Sequence, residues 1–457
     1  MGFYWGVRSR CLICILTAYA TLLACDAPER GPSAYGPVPA HLWSLSFPTE
    51  AGSRTGDVAI AEDGDVVVVG RFMDAIEIGG RSLVAIGDID VLFARFSPGG
   101  VHEWSRRLGG ANTDFGTTLA LADGGDIFMM GSYEGQADFG GGLLPAESGT
   151  NVFLGRYSSA SEHAFSQRIG SRVVAAAVVD ESGDVVVTGF DRFDIPVSFV
   201  AKYSPDGERL WEQTLDADQI IHDIAVRSDG SIVAVGQQGA VLPFSSTSAN
   251  RSQIDCFEFS AEDTHVLLAE FAADGTPLDT RRLTSGDLGC ASAQEVEVSA
   301  AGDVVLAGIC IGELDLGDRS ASCDGRKHLF VARLDGAGDT IWWQSFGGAG
   351  GVGGLALDGA EIAVAGYFEG TIDFGAGELV AGHLDVYMAK LSSDGDHIWS
   401  RRFGAEGGRH STSLDALAVA PNGDLVITGL LRAPVDFGGG ELAIGDVADI
   451  FIAAFGP

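Results

Sequence analysis

The stretch that determines the fold is VLFARFSPGGVHEWSRRL, residues 91–108. Two runs of aliphatic and aromatic residues flank the turn SPGG (97–100), and this pattern predicts a β-hairpin. Just upstream, DVAIA (57–61) and DVVVVG (65–70) form a second hairpin pattern. Runs such as VVVV are typical of interior strands that are buried on both faces. Residues 57–108 therefore predict four consecutive antiparallel strands.

The same four-strand pattern recurs along the chain. Its most visible marker is a tryptophan in the last strand, as in HEWSRRL (102–108) and HIWSRRF (397–403). The seven marker positions are Trp43, Trp104, Phe165, Trp211, Asp279, Trp342 and Trp399, two of which have lost the tryptophan. Successive spacings are 61, 61, 46, 68, 63 and 57 residues. A near-constant spacing of this kind identifies internal repeats.

Seven four-stranded units predict an all-β protein with the architecture of a seven-bladed β-propeller. A single unit cannot bury both of its faces, and radial stacking removes most free sheet edges. The chain order also predicts how the ring closes. The first tryptophan strand precedes any complete unit, so we expect residues 42–47 to complete the last blade beside residues 450–455.

The order of third strand, S-x-D-G turn, W-S strand and D-G-D turn resembles the SBBP-type bacterial seven-bladed β-propeller repeat. The resemblance covers about residues 41–457 and is closest around Trp104, Trp342 and Trp399. It is weakest over residues 237–292, where a Ser-rich insertion occurs and aspartate replaces the tryptophan. The resemblance implies a propeller in a surface or envelope setting, and it implies no single activity.

Residues 1–24 have the pattern of an export signal. Arg8 and Arg10 precede the apolar run CLICILTAYATLLA (11–24), which is shorter than the ~20 residues of a membrane-spanning helix. The run ends at Cys25 in a sequence that resembles the bacterial lipobox, in which the cysteine is lipidated; the alternative is an ordinary signal peptide. Residues 25–40 are rich in proline and predict a tether. We therefore expect an exported protein that is lipid-anchored in the cell envelope.

The anchor and the charge limit the predicted partners. The outer membrane or the cell surface is favoured over the inner membrane, and the lipid bilayer is contacted only through the N-terminal acyl anchor. The chain has 63 acidic against 28 basic residues, a formal net charge of −35. That balance argues against binding to nucleic acid, which requires clustered Lys and Arg. We expect a monomer whose partner is a protein or a glycan at the cell surface.

Five loops between second and third strands repeat a pattern in which a carboxylate precedes a large apolar residue and glycine. The carboxylates are Glu77, Asp138, Asp315, Asp373 and Asp436. One interpretation is a Ca²⁺ site, since hard cations prefer several oxygen ligands. The other is a turn in which the carboxylate bonds backbone N–H groups while the apolar residue packs inward. Ligands of one metal lie within about 2.6 Å of it, and five separate blades cannot converge so closely. The turn is favoured, and no cofactor is predicted.

Motifs for catalysis are weak. Gly348, Gly350 and Gly353 match G-x-G-x-x-G, but a dinucleotide fingerprint must open a helix and this one lies between two strand patterns. No catalytic residue set can be identified, so we predict a protein that is not an enzyme. It would act as a binding or scaffold module through the face that carries the long loops. The alternative is a secreted hydrolase or lyase that acts on polysaccharide.

Four cysteines follow Cys25, and all of them lie in the fourth and fifth units. An exported chain meets an oxidising compartment, which favours two disulfides over free thiols or a zinc site. Four cysteines allow three pairings. We favour Cys310 with Cys323 and Cys256 with Cys290, because the first pair would close the long loop of the fifth unit.

Overall fold

The computed structural model describes residues 39–49, 52–191, 197–239, 264–283, 289–316, 320–405, 411–445 and 447–457. The predicted signal peptide (1–24), Cys25 and most of the predicted tether lie outside these residues. All regular secondary structure in the described part is β-strand. No described helix has the length and apolar character needed to cross a membrane.

Seven antiparallel blades of four strands account for most of the structure. The first strands are β2 (Arg54–Ile60), β8 (Asp114–Leu121), β14 (Arg172–Val179), β18 (Gln219–Val226), β22 (Cys290–Val298), β26 (Gly347–Asp358) and β31 (Thr412–Val419). The second strands are β3 (Val66–Phe72), β9 (Ile127–Glu134), β15 (Val185–Asp191), β19 (Ile232–Gln238), β23 (Val304–Asp315), β27 (Glu361–Asp373) and β32 (Leu425–Leu431).

The outer half of each blade is built in the same way. The third strands are β6 (Asp90–Phe96), β12 (Thr150–Tyr157), β16 (Ser198–Tyr203), β20 (His265–Phe271), β24 (Ser320–Leu334), β29 (Asp385–Leu391) and β35 (Ala448–Phe455). The fourth strands are β7 (His102–Gly110), β13 (His163–Gly170), β17 (Arg209–Thr214), β21 (Pro277–Leu283), β25 (Thr340–Ser345), β30 (His397–Phe403) and, for blade 7, β1 (His41–Thr49). The predicted all-β seven-bladed propeller is confirmed.

Ring closure follows the prediction. β1 pairs with β35, with Leu45 opposite Ile452 and Phe47 opposite Ile450, so the N-terminal strand completes the last blade. Each first strand contacts the first strands of the two neighbouring blades, and β31 contacts β2. The first strands therefore surround a central channel, and the hydrophobic core is divided among the boundaries between blades. One such cluster joins Phe93 of blade 1 to Phe153 of blade 2.

One face of the ring, here called the tight-turn face, carries the hairpin turns between first and second strands and between third and fourth strands. In the turn over 392–396, the N–H of Ser392 bonds the carbonyl of Asp396 and the N–H of Gly395 bonds the carbonyl of Ser392. Gly395 has φ of 85°, a conformation that glycine adopts at little cost. A side chain there would also lie 3.0 Å from the ring of Trp342 in the preceding blade.

Four of the repeated tryptophans, Trp43, Trp104, Trp211 and Trp342, each join their blade to the next one through the indole N–H. The indole N–H of Trp104 donates to the carbonyl of Ser159 at 3.1 Å, and Arg95 donates to the same oxygen at 3.2 Å. Trp342 and Arg333 share the carbonyl of Ser393 in the same way, each at 2.8 Å. The acceptors lie in the third-to-fourth turn of the following blade, so the tryptophan has a structural role between blades.

A second ring of contacts lies at the inner edge of the blades. Every first strand contains a β-bulge at the equivalent position, namely Gly56, Thr117, Ala175, His222, Gln294, Gly353 and Asp415, and β26 has a second one at Gly348. Bulges place extra side chains at the inner edge. Asp57 accepts the N–H of Leu119 in the next blade at 2.9 Å, and Gln294 accepts the N–H of Val352 at 3.0 Å. Neighbouring blades are thus joined at both their outer and inner edges.

Candidate functional site

The face opposite the tight turns, here called the long-loop face, carries the connections between second and third strands. Four short hairpin elements lie in them: β4 (Ala75–Ile78) with β5 (Arg81–Val84), β10 (Ala137–Asp138) with β11 (Leu143–Leu144), β28 (Glu378–Val380) with the end of β27, and β33 (Val435–Asp436) with β34 (Glu441–Leu442). In blade 5 the ends of β23 and β24 pair in the same place.

These hairpins do not project from the face but fold back between the outer edges of two blades. β10 of blade 2 pairs with β7 of blade 1, with Ala137 opposite Gly110. The turn of this hairpin reaches its own blade's fourth strand, where a side chain at Gly141 would lie 2.3 Å from His163. The hairpin fills the wedge-shaped gap that opens between diverging blades. Much of the long-loop sequence is therefore structural, a role that periodicity did not predict.

The repeated aspartates have a common geometry in three of these hairpins. Asp138 accepts the N–H groups of Gly140 at 2.8 Å and Gly142 at 3.0 Å. Asp373 and Asp436 likewise accept the backbone N–H groups two and four residues further on, those of Gly375 and Gly377 and of Gly438 and Gly440. The following phenylalanines, Phe139, Phe374 and Phe437, are at most 2% exposed, and Phe139 stacks on Phe153 at 3.7 Å between centroids. The carboxylates stabilise the turns through hydrogen bonds, while the aromatic rings pack between neighbouring blades.

The other two predicted acidic residues occupy the matching hairpins of blades 1 and 5. Glu77 lies in β4 opposite Ser82, and Asp315 ends β23 opposite Ser320. Because all five carboxylates lie on different blades, the structure does not bring them together. Across the described residues, no group of three or more His, Cys, Asp or Glu side chains is placed to hold a metal ion.

Two cysteines of blade 5 form a disulfide within the blade. Cys310 and Cys323 are joined by a disulfide, which is the pairing favoured from the sequence. It ties the second strand to the third at the base of the blade-5 hairpin, beside the pair Gly312 and Cys323. Cys290 is also disulfide-bonded, and Cys256, its predicted partner, lies outside the described residues.

At the long-loop end of the blades, around the central channel, matching residue pairs occur at the start of the first strand and the end of the second. These seven pairs, here called the mouth ring, are Arg54–Arg71, Phe115–Ser132, Val173–Phe190, Ile220–Gln237, Ser292–Ile309, Gly351–Tyr367 and Ser413–Leu430. All fourteen residues are described, and both charged members are the arginines of blade 1.

The two arginines have different surroundings. Nε and Nη2 of Arg54 both lie 2.6 Å from Oδ1 of Asp415 in blade 7, whose Oδ2 accepts the hydroxyl of Thr55 at 2.7 Å. Arg71 donates through Nε to the carbonyl of Gly52 at 3.1 Å. Its guanidinium carbon lies 4.6 Å from the centre of the Phe115 ring of blade 2. The carboxylate of Asp415 is thus occupied, and Arg71 is held by a carbonyl and a ring.

Deeper in the channel, a single carboxylate interrupts an apolar ring. The equivalent positions of the seven first strands are Ala59, Ala120, Val178, Ala225, Glu297, Ala356 and Ala418. Burial raises the pKa of Glu297 to about 8, and the negative charge of Asp223 in blade 4 adds to the shift. Alignment of the repeats would have revealed Glu297 as an acid at an alanine position. The surroundings of Arg71, in contrast, could not be read from the sequence, because they are formed by residues of neighbouring blades.

Comparison with known proteins identifies an architecture and no family. No protein-family model matches the chain, so membership of the SBBP repeat family stays a prediction, and no curated protein matches it. The chain is similar to the β-propeller domain of the Trilobed protease from Pyrococcus furiosus, with 11% identity, a TM-score of 0.45, and coverage of 86% of this chain and 96% of that one.

Two further solved structures are similar, one with the same TM-score and one with a lower score. YCF48 bound to a D1 peptide has 9% identity and a TM-score of 0.45, covering 94% of this chain and 100% of that one. A protein of unknown function from Bacteroides caccae has 11% identity and a TM-score of 0.37, covering 70% and 92%. At such low identity the likeness concerns the fold alone.

Proposed function

We propose that this chain is a lipid-anchored β-propeller of the cell envelope that serves as a binding or scaffold module through its long-loop face. Its partner is a protein or a glycan. The closed ring is a rigid support, and the proposal assigns recognition to the channel mouth and to the loop segments that are not buried in the wedges.

The place where the chain enters the ring supports the assignment of recognition to the long-loop face. β35 runs toward the tight-turn face, where Phe455 lies opposite His41 at the start of β1, and the N–H of Gly456 bonds the carbonyl of Ala40 at 2.8 Å. Any segment that precedes β1 must leave the ring at the tight-turn face. A lipid anchor upstream of β1 would thus be attached through the tight-turn face, and the long-loop face is the face without this attachment.

A binding experiment with matched variants tests the proposal. Ile86 on the long-loop face and Val101 in a tight turn are both 67% exposed, so Ile86→Asp and Val101→Asp make the same chemical change on opposite faces. The purified full-length chain is screened against protein and glycan arrays. We expect Ile86→Asp to weaken capture of a partner and Val101→Asp to leave it unchanged; the reverse pattern contradicts the assigned face.

The anchor requires its own test. Cells expressing the wild type or Cys25→Ser are labelled with an alkyne analogue of palmitate and fractionated. We expect the wild type to incorporate the label and to sediment with membranes, while Cys25→Ser does neither. Equal labelling of the two proteins contradicts lipidation at Cys25.

The channel carboxylates support a second candidate, the polysaccharide-acting hydrolase or lyase. Glycosidases often pair a carboxyl of raised pKa with an ionised one, and the pKa of Glu297 is raised to about 8 beside the charge of Asp223. Reducing-end assays on a polysaccharide panel, with Glu297→Gln as the control, test this candidate. Product release by the wild type that is lost in Glu297→Gln would favour the enzyme over the binding module.

A further inference from the structure

Arg71 is a half-buried guanidinium without a carboxylate of its own. Only Nε is used, for the carbonyl of Gly52, and the Nη atoms have no hydrogen-bond or ion-pair partner within the described residues. Arg95, Arg156 and Arg333 illustrate the usual arrangement in this chain, in which a strand-borne arginine lies within 4.0 Å of an aspartate. Arg71 departs from that arrangement at the mouth of the channel.

Arg172 of blade 3 provides a direct comparison. Its guanidinium carbon lies 4.3 Å from the centre of the Phe199 ring, so it stacks on an aromatic ring much as Arg71 does. Unlike Arg71, it also forms an ion pair with Glu212 at 2.8 Å. The comparison shows what Arg71 lacks: the guanidinium of Arg172 is held by a ring and also presents its outer edge to a carboxylate, an arrangement that suits the planar fork of arginine.

Among the described residues, the one anion that acts on Arg71, Asp415, is already paired with other groups. Burial lowers the pKa of Arg71, the positive charge of Arg54 lowers it further, and Asp415 offsets only part of this. Both oxygens of Asp415 already bond Arg54 and Thr55. The net charge of −35 does not cancel the local effect, because salt screens exposed charges beyond about 10 Å at 0.1 M ionic strength. A negative group beside Arg71 would relieve the cost of its burial.

We propose that Arg71, supported by Arg54 and Phe115, binds a carboxylate of the ligand at the long-loop mouth of the central channel. The two Nη groups of a fixed guanidinium match the two oxygens of a carboxylate. The ring of Phe115, on which Arg71 stacks, offers apolar contact beside the charge. This inference rests on the proposed function, since it names the chemistry recognised by the long-loop face.

Isothermal titration calorimetry at about 0.1 M ionic strength, where the distant acidic charges are screened, tests the site with two probes. Citrate represents a free carboxylate, and triglutamate represents carboxylates on a peptide; the stronger binder identifies the source. The full-length chain is compared with Arg71→Gln, Arg71→Lys and Arg172→Gln. We expect Arg71→Gln to weaken binding at least about tenfold, the value of a charge-assisted hydrogen bond, and Arg71→Lys to have a smaller effect. Arg172→Gln should bind like the wild type.

Several results would overturn the site. The site is wrong if neither probe binds the wild type or if Arg71→Gln binds the probes as tightly as the wild type. It is also wrong if Arg172→Gln loses as much affinity as Arg71→Gln. Thermal melts of each variant establish that it is folded. A partner that binds Arg71→Gln normally, without citrate or triglutamate binding, overturns the anion site and leaves the proposed function standing. Probe binding that depends on Arg71, without any partner on the arrays, supports the site and counts against the proposed function alone.

Discussion

Two buried carboxyl groups lie at the boundary between blades 1 and 2, and burial raises the pKa of one of them, Asp114. Asp90 and Asp114 are both 0% exposed. Oδ2 of Asp90 accepts the N–H of Ile86 and an N–H of Arg107, and Oδ2 of Asp114 accepts the N–H of Gly110 at 2.6 Å. In the described part of the chain, neither Oδ1 atom has a hydrogen-bond partner. Arg107 forms an ion pair with Asp90 at 3.0 Å, whereas it acts on Asp114 only through a weaker electrostatic attraction.

The same boundary between blades 6 and 7 has one acid instead of two. Asp385 takes the place of Asp90 and pairs with Arg402, while Thr412 takes the place of Asp114. Burial raises the pKa of Asp114 to about 6, and the negative charge of Asp90 contributes to the shift. The equivalent threonine carries no charge, so blades 6 and 7 meet without this repulsion.

The Asp114→Asn substitution should therefore stabilise the fold at neutral pH. In the folded state the carboxyl stays protonated up to a pH of about 6, whereas in the unfolded chain it ionises near 3.8. The wild type consequently loses stability as pH rises through this interval, by up to about 3 kcal/mol. Asparagine carries no charge and can still accept the N–H of Gly110. We expect a higher Tm for Asp114→Asn at pH 7.5 and no difference from the wild type at pH 3.5.

Calorimetric melts of both proteins across this pH range measure the effect. Asp385→Asn is the matched control, because it removes the acid that Arg402 pairs with and should lower the Tm at pH 7.5. Opposite signs for the two aspartate-to-asparagine changes would support the reasoning. An Asp114→Asn variant that is destabilised equally at pH 3.5 and pH 7.5 would refute it.

Three other perturbations have defined outcomes. Glu297→Ala places at this position the alanine that most other blades have. Because the folded-state pKa of Glu297 is raised to about 8, the Tm of the variant should equal that of the wild type below about pH 4.5 and exceed it increasingly as pH rises toward 8. A difference in Tm that does not depend on pH would contradict this. Trp342→Phe removes the indole N–H that bonds Ser393; denaturant unfolding should show a loss of about 1 kcal/mol, and a loss near the 3–5 kcal/mol of a Trp→Ala change would mean that packing dominates. Removal of residues 1–49 takes away β1 and exposes the edge of β35; the Tm should fall sharply, and an unchanged melt would show that β1 does not hold the ring closed.

Local sequence patterns predicted most of the fold. Runs of apolar residues between short turns specified the strands, and the turn glycines specified where the chain reverses, as at Gly395 with its φ of 85°. The spacing of the tryptophans specified the number of blades, and the leading tryptophan strand specified closure by β1. These predictions succeeded because each blade consists of neighbouring hairpins, whose strands and turns are encoded within about sixty residues.

The candidate site was predicted less completely, because the sequence places its parts on different blades. The repeated aspartates were visible, and three of them form the turns that were favoured over a metal site. The wedge position of their hairpins was not visible, because it depends on the gap between two stacked blades. The Cys310–Cys323 disulfide was predicted since both residues border one loop.

The sequence by itself determined the seven-bladed architecture, the closure of the ring and the pairing of neighbouring strands. Only the tertiary structure decided which charges meet across blades. Asp90 and Asp114 become a strained pair because two blades stack, whereas Asp415 is taken by Arg54 and leaves Arg71 without a carboxylate. The physical reason is that strand and turn propensities act over a few residues. Desolvation and Coulomb interactions depend on which side chains the closed ring brings within a few ångströms of each other.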